Sequence, residues 1–208
     1  DALERTASLN TIHRAGADAT LKLNVSYTRD RRDYERTATD AYLTDGDAIV
    51  VREDMTTRTA DNDLAAALIY ERNADSTYIK NTAGLHLRSQ PSHTLVRATP
   101  DLRQDFRSER LDLANDLSLM WRRGLRVFRL QSSIAAGLLP ADRLTITAAD
   151  LSPRAQRVAG RSLYTRHATS FVKGFNAYAN VRFDLALETE HDRIETDRTE
   201  DSLSTPAA

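Results

Sequence analysis

Cysteine and long apolar runs are both absent from this chain of 208 residues. Without cysteine, the protein has no disulfide bond, no thiolate metal site and no cysteine nucleophile. A membrane-spanning helix needs about 18 or more consecutive apolar residues, so such a helix is excluded as well. The N-terminal sequence DALERTASLN lacks the basic and apolar regions of a signal peptide. Three alternatives stay open: a cytosolic chain, a processed chain, or part of a longer protein.

An excess of charge of one sign is also absent, since 29 basic residues face 30 acidic residues. A nearly neutral chain creates no global positive field, which argues against nucleic acid as a partner. Lysine is rare and occurs only as Lys22, Lys80 and Lys173. The mean hydropathy of −0.52 is weak evidence for a soluble protein, because a transmembrane barrel strand turns only every second residue towards lipid.

Alternation of apolar and polar residues is the strongest pattern that is present. In FNAYANVRFDLALE (175–188), every second residue is apolar and most of the residues between them are polar. A period of two sustained over that length predicts a β-strand with one apolar and one polar face. The segment ATLKLNVSYT (19–28) predicts a second strand of the same kind.

Two further segments alternate well, NTAGLHLR (81–88) and RLDLANDLSLMW (110–121). Weaker patterns predict strands at 4–13, 62–71, 125–136 and 161–172. For 109–122 an amphipathic helix is the alternative interpretation. The helix would bring Asp112 and Asp116 close to its buried stripe, which the strand avoids.

Short and long connections between these strands alternate along the chain. Segments 14–18, 73–76, 122–124 and 173–174 have the composition of tight turns, whereas 29–61, 89–108 and 137–160 predict long loops. Short turns on one side and long loops on the other are typical of a transmembrane β-barrel. Within the first long loop, Asp45 and Gly46 predict the turn of an extra hairpin near 40–53.

These patterns predict an all-β fold, an antiparallel up-and-down meander of about eight long strands that forms a segment of a transmembrane β-barrel. The segment covers 1–200, and a flexible tail covers 201–208. Both chain ends lie on the long-loop side, whereas intact bacterial barrels place their ends with the short turns. We therefore expect the rest of a larger barrel to complete this segment.

Each predicted face has its own candidate residues. The apolar face would contact lipid, and its candidates are Leu21, Leu23, Val25, Leu85, Leu87, Leu117, Leu119, Val181, Phe183, Leu185 and Leu187. The polar face would line the lumen, and its candidates are Lys22, Asn24, Asp112, Asp116, Arg182 and Asp184. Aromatic residues near predicted strand ends would form interfacial girdles: Tyr27, Tyr70, Trp121 and Phe175.

Three stretches resemble a known family: LKLNVSYTRD (21–30), YLTDGDAIVVRED (42–54) and LIYERNADSTYIKNTAGLHLR (68–88). In the style of their strands and loops they are similar to the outer-membrane barrel region of TonB-dependent-receptor-like proteins. The resemblance covers roughly residues 5–200. It implies uptake of large or scarce substrates across the bacterial outer membrane, with a plug domain inside the barrel and an inner-membrane partner that supplies energy. It assigns no site residue.

Candidate chemistry is sparse. The five histidines form no HxxxH or HxH pair, so the spacing predicts no metal site. The acidic run at 188–201 lacks the ligand spacing of a Ca²⁺ loop. Asp112 and Asp116 would lie about 13 Å apart on one strand, too far for joint acid–base chemistry on one bond. We therefore predict no enzyme, no cofactor and no metal.

Three functions fit these observations to different degrees. The first is the structural wall and outer loops of an outer-membrane receptor or transporter, with the bilayer as a partner and an unknown ligand. The second is a soluble calyx-type barrel that binds a small apolar ligand inside, with the two faces reversed. The third, an outer-membrane enzyme or adhesin, lacks candidate site residues.

Overall fold

The computed structural model describes residues 2–44, 47–97, 101–148, 151–175 and 179–200. Within these residues the chain forms eight β-strands and no helix. The strands are β1 (Ala2–Arg14), β2 (Ala19–Thr44), β3 (Asp47–Ala74), β4 (Thr77–Arg97), β5 (Leu102–Arg123), β6 (Arg126–Ala148), β7 (Leu151–Gly174) and β8 (Asn180–Glu200).

The eight strands form one sheet in which each strand pairs with its neighbours in sequence, all antiparallel. This order confirms the predicted all-β meander of about eight long strands. Among the described residues, β1 and β8 pair on one side only, so they form the edges of the sheet.

Apolar residues opposite one another set the register of the central strands. Leu85 pairs with Leu113, and Leu87 pairs with Leu111, across β4 and β5. Directly opposed residues project from the same face of a sheet. A slip by one residue would reverse both faces of a strand, so the alternation seen in the sequence holds this register.

Glycine closes two of the short turns. Gly16 lies between β1 and β2 with φ of +95°, and Gly124 lies between β5 and β6 with φ of +57°. Residues other than glycine rarely adopt such angles. The Ala15 amide donates to the Ala19 carbonyl at 2.9 Å and closes the first of these turns.

The predicted long loops are wrong, because the strands continue through them. Residues 29–61, 89–108 and 137–160 belong almost entirely to the outer halves of β2 to β7. Polar side chains there pair across the strands: Thr37 donates to Asp54 at 2.8 Å, and the Thr57 and Thr94 hydroxyls are 3.1 Å apart. The backbone ladder needs no apolar residues, so charged segments extend it as well.

The start of the last strand also differs from the prediction. β7 runs to Gly174, so 173–174 is not the turn, and β8 begins at Asn180 rather than at residue 175. Phe175 lies in the connection, where its amide donates to the Ala179 carbonyl at 2.9 Å. The helix considered for 109–122 is wrong, since all of these residues lie in β5. Residues 176–178, the Asp45–Gly46 turn and the tail at 201–208 lie outside the described residues.

The sheet encloses no packed core among the described residues, where the only buried apolar residues are Ala19 and Ala148. The accessible surface of the chain is 15651 Å², whereas a compact monomer of this mass should expose about 9,700 Å². No second layer covers either face of the sheet within the described ranges, so the apolar side chains need another partner.

Candidate functional site

The register separates the side chains of the sheet into an apolar face and a polar face. All eleven residues predicted to contact lipid lie on the apolar face. The strand register arranges opposed residues in rows that cross the sheet, and all members of a row project from the same face; one such row contains Leu21, Tyr70 and Leu117. All six residues predicted to line the lumen lie on the opposite face. That lipid contacts one face and water the other stays a prediction.

The apolar face contains more large residues than the eleven predicted to contact lipid. The additional ones share cross-strand rows with the predicted ones: Leu64, Leu68, Ile79, Leu111, Leu113, Leu130, Ile134, Leu138 and Leu163. Several lie in segments with weak patterns, such as 125–136 and 161–172, so only strand pairing could have found them.

One end of the apolar face is a row of aromatic side chains, the aromatic row. Phe183, Phe171, Phe128 and Trp121 lie directly opposite one another on β8, β7, β6 and β5. Of the four aromatics predicted as girdle residues, only Trp121 belongs to this row. Phe175 lies in the β7–β8 connection, where the Lys173 Nζ is 4.8 Å from the centre of its ring. Large amphipathic and aromatic rings are typical of a membrane–water interface.

The opposite end is a row of directly opposed arginines, the arginine row: Arg107, Arg143 and Arg157 on β5, β6 and β7. Between the two rows lies the apolar band. On β5 the band runs from Trp121 to Leu111, about 33 Å along the strand. With the tilt usual for barrel strands, that length spans about 25 Å, the height of the apolar belt of an outer-membrane barrel.

The apolar band is uncovered. The exposed fraction of the residue is 70% for Leu185 on the edge strand and still 45% for Leu113 on the central strand β5. An uncovered apolar surface of this extent marks a site of contact with lipid or with another protein.

Two pairs of polar residues within the band contact each other across neighbouring strands. Ser132 and the Nδ1 atom of His167 are 2.9 Å apart across β6 and β7. The hydroxyls of Thr165 and Thr189 are 2.7 Å apart across β7 and β8. Pairing lowers the cost of placing such groups against an apolar medium.

On the polar face, His86 lies between two carboxylates. Its Nε2 atom is 2.7 Å from Asp63 Oδ2, and its Nδ1 atom is 3.7 Å from Asp112 Oδ2. Asp112 also accepts from Arg110 Nε at 2.8 Å. The two ring nitrogens point in different directions, so the carboxylates do not converge on one metal ion; no group of three His, Asp or Glu does so in the described ranges.

A second ionic cluster lies beyond the apolar band, towards the β2–β3 hairpin end. Arg88 donates to Asp61 through Nε at 3.1 Å and through Nη2 at 2.6 Å, and Gln90 donates to the same carboxylate at 3.0 Å. The hydrogen bond from Arg88 holds the pKa of Asp61 below its usual value. Bidentate arginine–carboxylate pairs of this kind favour the charged form of the carboxyl.

The remaining lumen candidates are spread across the polar face and do not form one site. Lys22 Nζ is 3.9 Å from Glu71 on the neighbouring strand, and Arg182 donates to Asp184 on its own strand at 2.9 Å. Asn24 lies opposite Ala67, and Asp116 lies opposite Thr82 and Ser133. Asp112 and Asp116 lie four residues apart on β5, in a stretch that pairs regularly with β4.

The polar face is crowded around Gly137. Gly137 lies opposite Asp112 and Ser162, and a Cβ atom there would lie 2.6 Å from Ser162 Oγ and 3.2 Å from Asp112 Oδ1. Small residues therefore make room for the charged side chains of this face.

No known protein family matches this chain, and no curated protein is significantly similar to it. In the part of the chain that the structure describes, no helix has the length and apolarity to cross a membrane.

Proposed function

We propose that this chain forms part of the wall of a β-barrel in the bacterial outer membrane, in a receptor or transporter that takes up a substrate. The single observation that carries the proposal is the uncovered apolar band of about 25 Å, bounded by an aromatic row and an arginine row. Lipid would contact the apolar band, and water or a plug domain would contact the polar face.

The soluble calyx is less well supported, because it needs the apolar face inside a closed barrel. Apolar side chains that line a small closed barrel are buried against one another. In the described residues, no large side chain is fully buried, and Phe183 and Leu187 on β8 are exposed by 67% and 61%. The exposure favours lipid as the partner of this face.

The polar face fits an aqueous interior. It carries cross-strand ionic pairs such as Arg88 with Asp61, and His86 with Asp63. Charged groups in contact with lipid would be costly, whereas a water-filled or plugged lumen accommodates them. The long hairpin ends of β2 to β7 extend beyond the band, and we assign ligand selection to them.

The decisive experiment places a spin label on neighbouring residues of β5. The chain has no native cysteine, so Asp116→Cys and Leu117→Cys each give one label site. In the full-length protein in membranes, we expect the label at 117 to collide mainly with oxygen, which concentrates in lipid. The label at 116 should collide mainly with a water-soluble nickel chelate.

The same pattern at both positions, or reversed accessibilities, would overturn the proposal. A calyx would instead hide the label at 117 from both reagents and expose the label at 116 to water. Lys80→Cys and Ile79→Cys on β4 form a second matched pair on the two faces, which guards against a local effect of one substitution.

A further inference from the structure

The arginine row places three like charges directly opposite one another. Arg107 pairs with Arg143 across β5 and β6, and Arg143 pairs with Arg157 across β6 and β7. Like charges directly opposed on a sheet are destabilising. All three side chains are exposed, so a counter-charge supplied from outside the chain can reach them.

A bulge in β6 brings Arg143 into this row. The register of β6 shifts against β5 between Leu138 and Arg143, and against β7 between Leu139 and Asp142. In the same region β5 stays regular against β4, and β7 stays regular against β8. The extra residue therefore belongs to β6. Without it, Arg143 would project from the polar face, because a bulge changes which residues share a face.

The described residues neutralise only part of this charge. Glu109 accepts from Arg107, and within the described ranges Arg157 donates only to the Pro140 carbonyl, at 3.4 Å. Arg143 has no carboxylate within ion-pair distance among the described residues. On β8, Asp197 lies opposite Arg157 but forms no described ion pair with it.

More arginines continue this surface towards β2 and β3. A groove of about 520 Å³ extends across the same face and is lined by Arg29, Arg31, Arg58, Arg107 and Arg143. Asp33 binds Arg31 and Arg58, and Asp105 is held by His93 and Arg103. Arg29, like Arg143, lacks a carboxylate partner in the part of the chain that the structure describes.

The position of the groove indicates which negatively charged groups it would bind. The groove lies on the apolar face directly beyond the apolar band, so in the proposed orientation it meets the headgroup layer of the bilayer. Guanidinium groups bind phosphate oxygens in a bidentate manner, and basic clusters at this depth attract anionic lipid headgroups. We infer that the arginine row and this groove bind the phosphate groups of anionic lipids in the adjoining leaflet. The inference rests on the proposed function.

Spin-labelled lipids test the inference in the full-length protein reconstituted into phosphatidylcholine vesicles. The fraction of label immobilised at the protein is measured for spin-labelled phosphatidic acid and for spin-labelled phosphatidylcholine. We expect a preference for phosphatidic acid that falls about fivefold for each arginine removed in Arg143→Gln and Arg157→Gln. Arg129→Gln, on the polar face of the same strand β6, should keep the full preference.

The other possible outcomes contradict either the inference or the proposed function. Equal immobilisation of both lipids by wild type and variants would overturn the inference and leave the barrel wall intact. The absence of any immobilised lipid would overturn the proposed function itself. A preference for phosphatidic acid that persists unchanged in Arg143→Gln and Arg157→Gln would also overturn the inference, because it would place the binding elsewhere on the protein.

Discussion

Leu23 and Asn24 are neighbours in sequence and lie on opposite faces of β2. The alternation of 19–28 predicted this separation, because side chains in a strand alternate strictly. The ion pairs of the polar face could not be predicted in the same way. His86, Asp63 and Asp112 come from three strands, and only the register brings them within contact distance.

An arginine in the middle of the apolar band should be costly. Leu23→Arg is expected to lower the free energy of unfolding from a bilayer by about 2–4 kcal/mol, because it moves a charge into lipid. Asn24→Arg, on the polar face, should change it by about 0.5 kcal/mol or less. Urea titration of the protein in phosphatidylcholine vesicles measures both, and equal costs would contradict the assignment of the faces.

Asp61 should contribute stability that depends on pH. Its pKa is lowered by the hydrogen bond from Arg88, so the contribution is complete above the unfolded-state pKa of about 4 and is lost as the pH falls through the lower folded-state value. Asp61→Asn should therefore destabilise the protein at neutral pH and have little effect in strong acid.

Unfolding titrations of wild type and Asp61→Asn over a series of pH values measure that difference. A difference that grows on acidification would have the wrong sign for a lowered pKa. Asp116→Asn serves as the control on the same face, because Asp116 has no ion-pair partner within the described ranges.

At the scale of the element, β2 to β7 are far longer than their apolar patterns indicated. The sequence TRDRRDYERTATD reads as a charged loop, yet it lies in β2. The alternation of apolar residues ends where the apolar band ends. Beyond the band, backbone hydrogen bonds and pairs of polar side chains stabilise the outer parts of the strands. No sequence pattern indicated the β6 bulge. Pro140 lies in the segment 137–160, which was predicted to be a loop. In the structure it lies at the bulge, where a missing backbone amide is tolerated.

Two glycines on the polar face should respond differently to alanine. Gly137→Ala would place a Cβ atom 2.6 Å from Ser162 Oγ, whereas Gly84→Ala would place one 3.9 Å from the Ala114 Cβ. We expect Gly137→Ala to destabilise the sheet by about 1 kcal/mol or more through overpacking. Gly84→Ala should be neutral or stabilising, because alanine restricts the unfolded chain.

Unfolding of both variants in the same vesicles measures the contrast. Ser162→Gly should rescue Gly137→Ala, since it removes the atom that the new methyl group meets. A Gly137→Ala variant as stable as wild type would mean that this part of the polar face is not crowded.

At the scale of the whole molecule, the protein should need an amphiphile. Both faces are uncovered among the described residues, and the edge strands β1 and β8 each leave one side without a described partner. Exposed apolar surface and open sheet edges lead to association in water. We expect a monodisperse protein in detergent and aggregation after detergent removal, as measured by light scattering; a monodisperse protein without detergent would instead favour the calyx.

The missing core also bears on how the fold responds to temperature. The large heat capacity increase of ordinary unfolding, about 12–15 cal/mol/K per residue, arises because water hydrates apolar side chains that the native state had hidden. This sheet hides few of them from its surroundings. If lipid stays against the apolar band during unfolding, the increase should be much smaller. The enthalpy and entropy of unfolding would then vary only weakly with temperature, so the free energy of unfolding would fall almost linearly on heating instead of passing through a maximum.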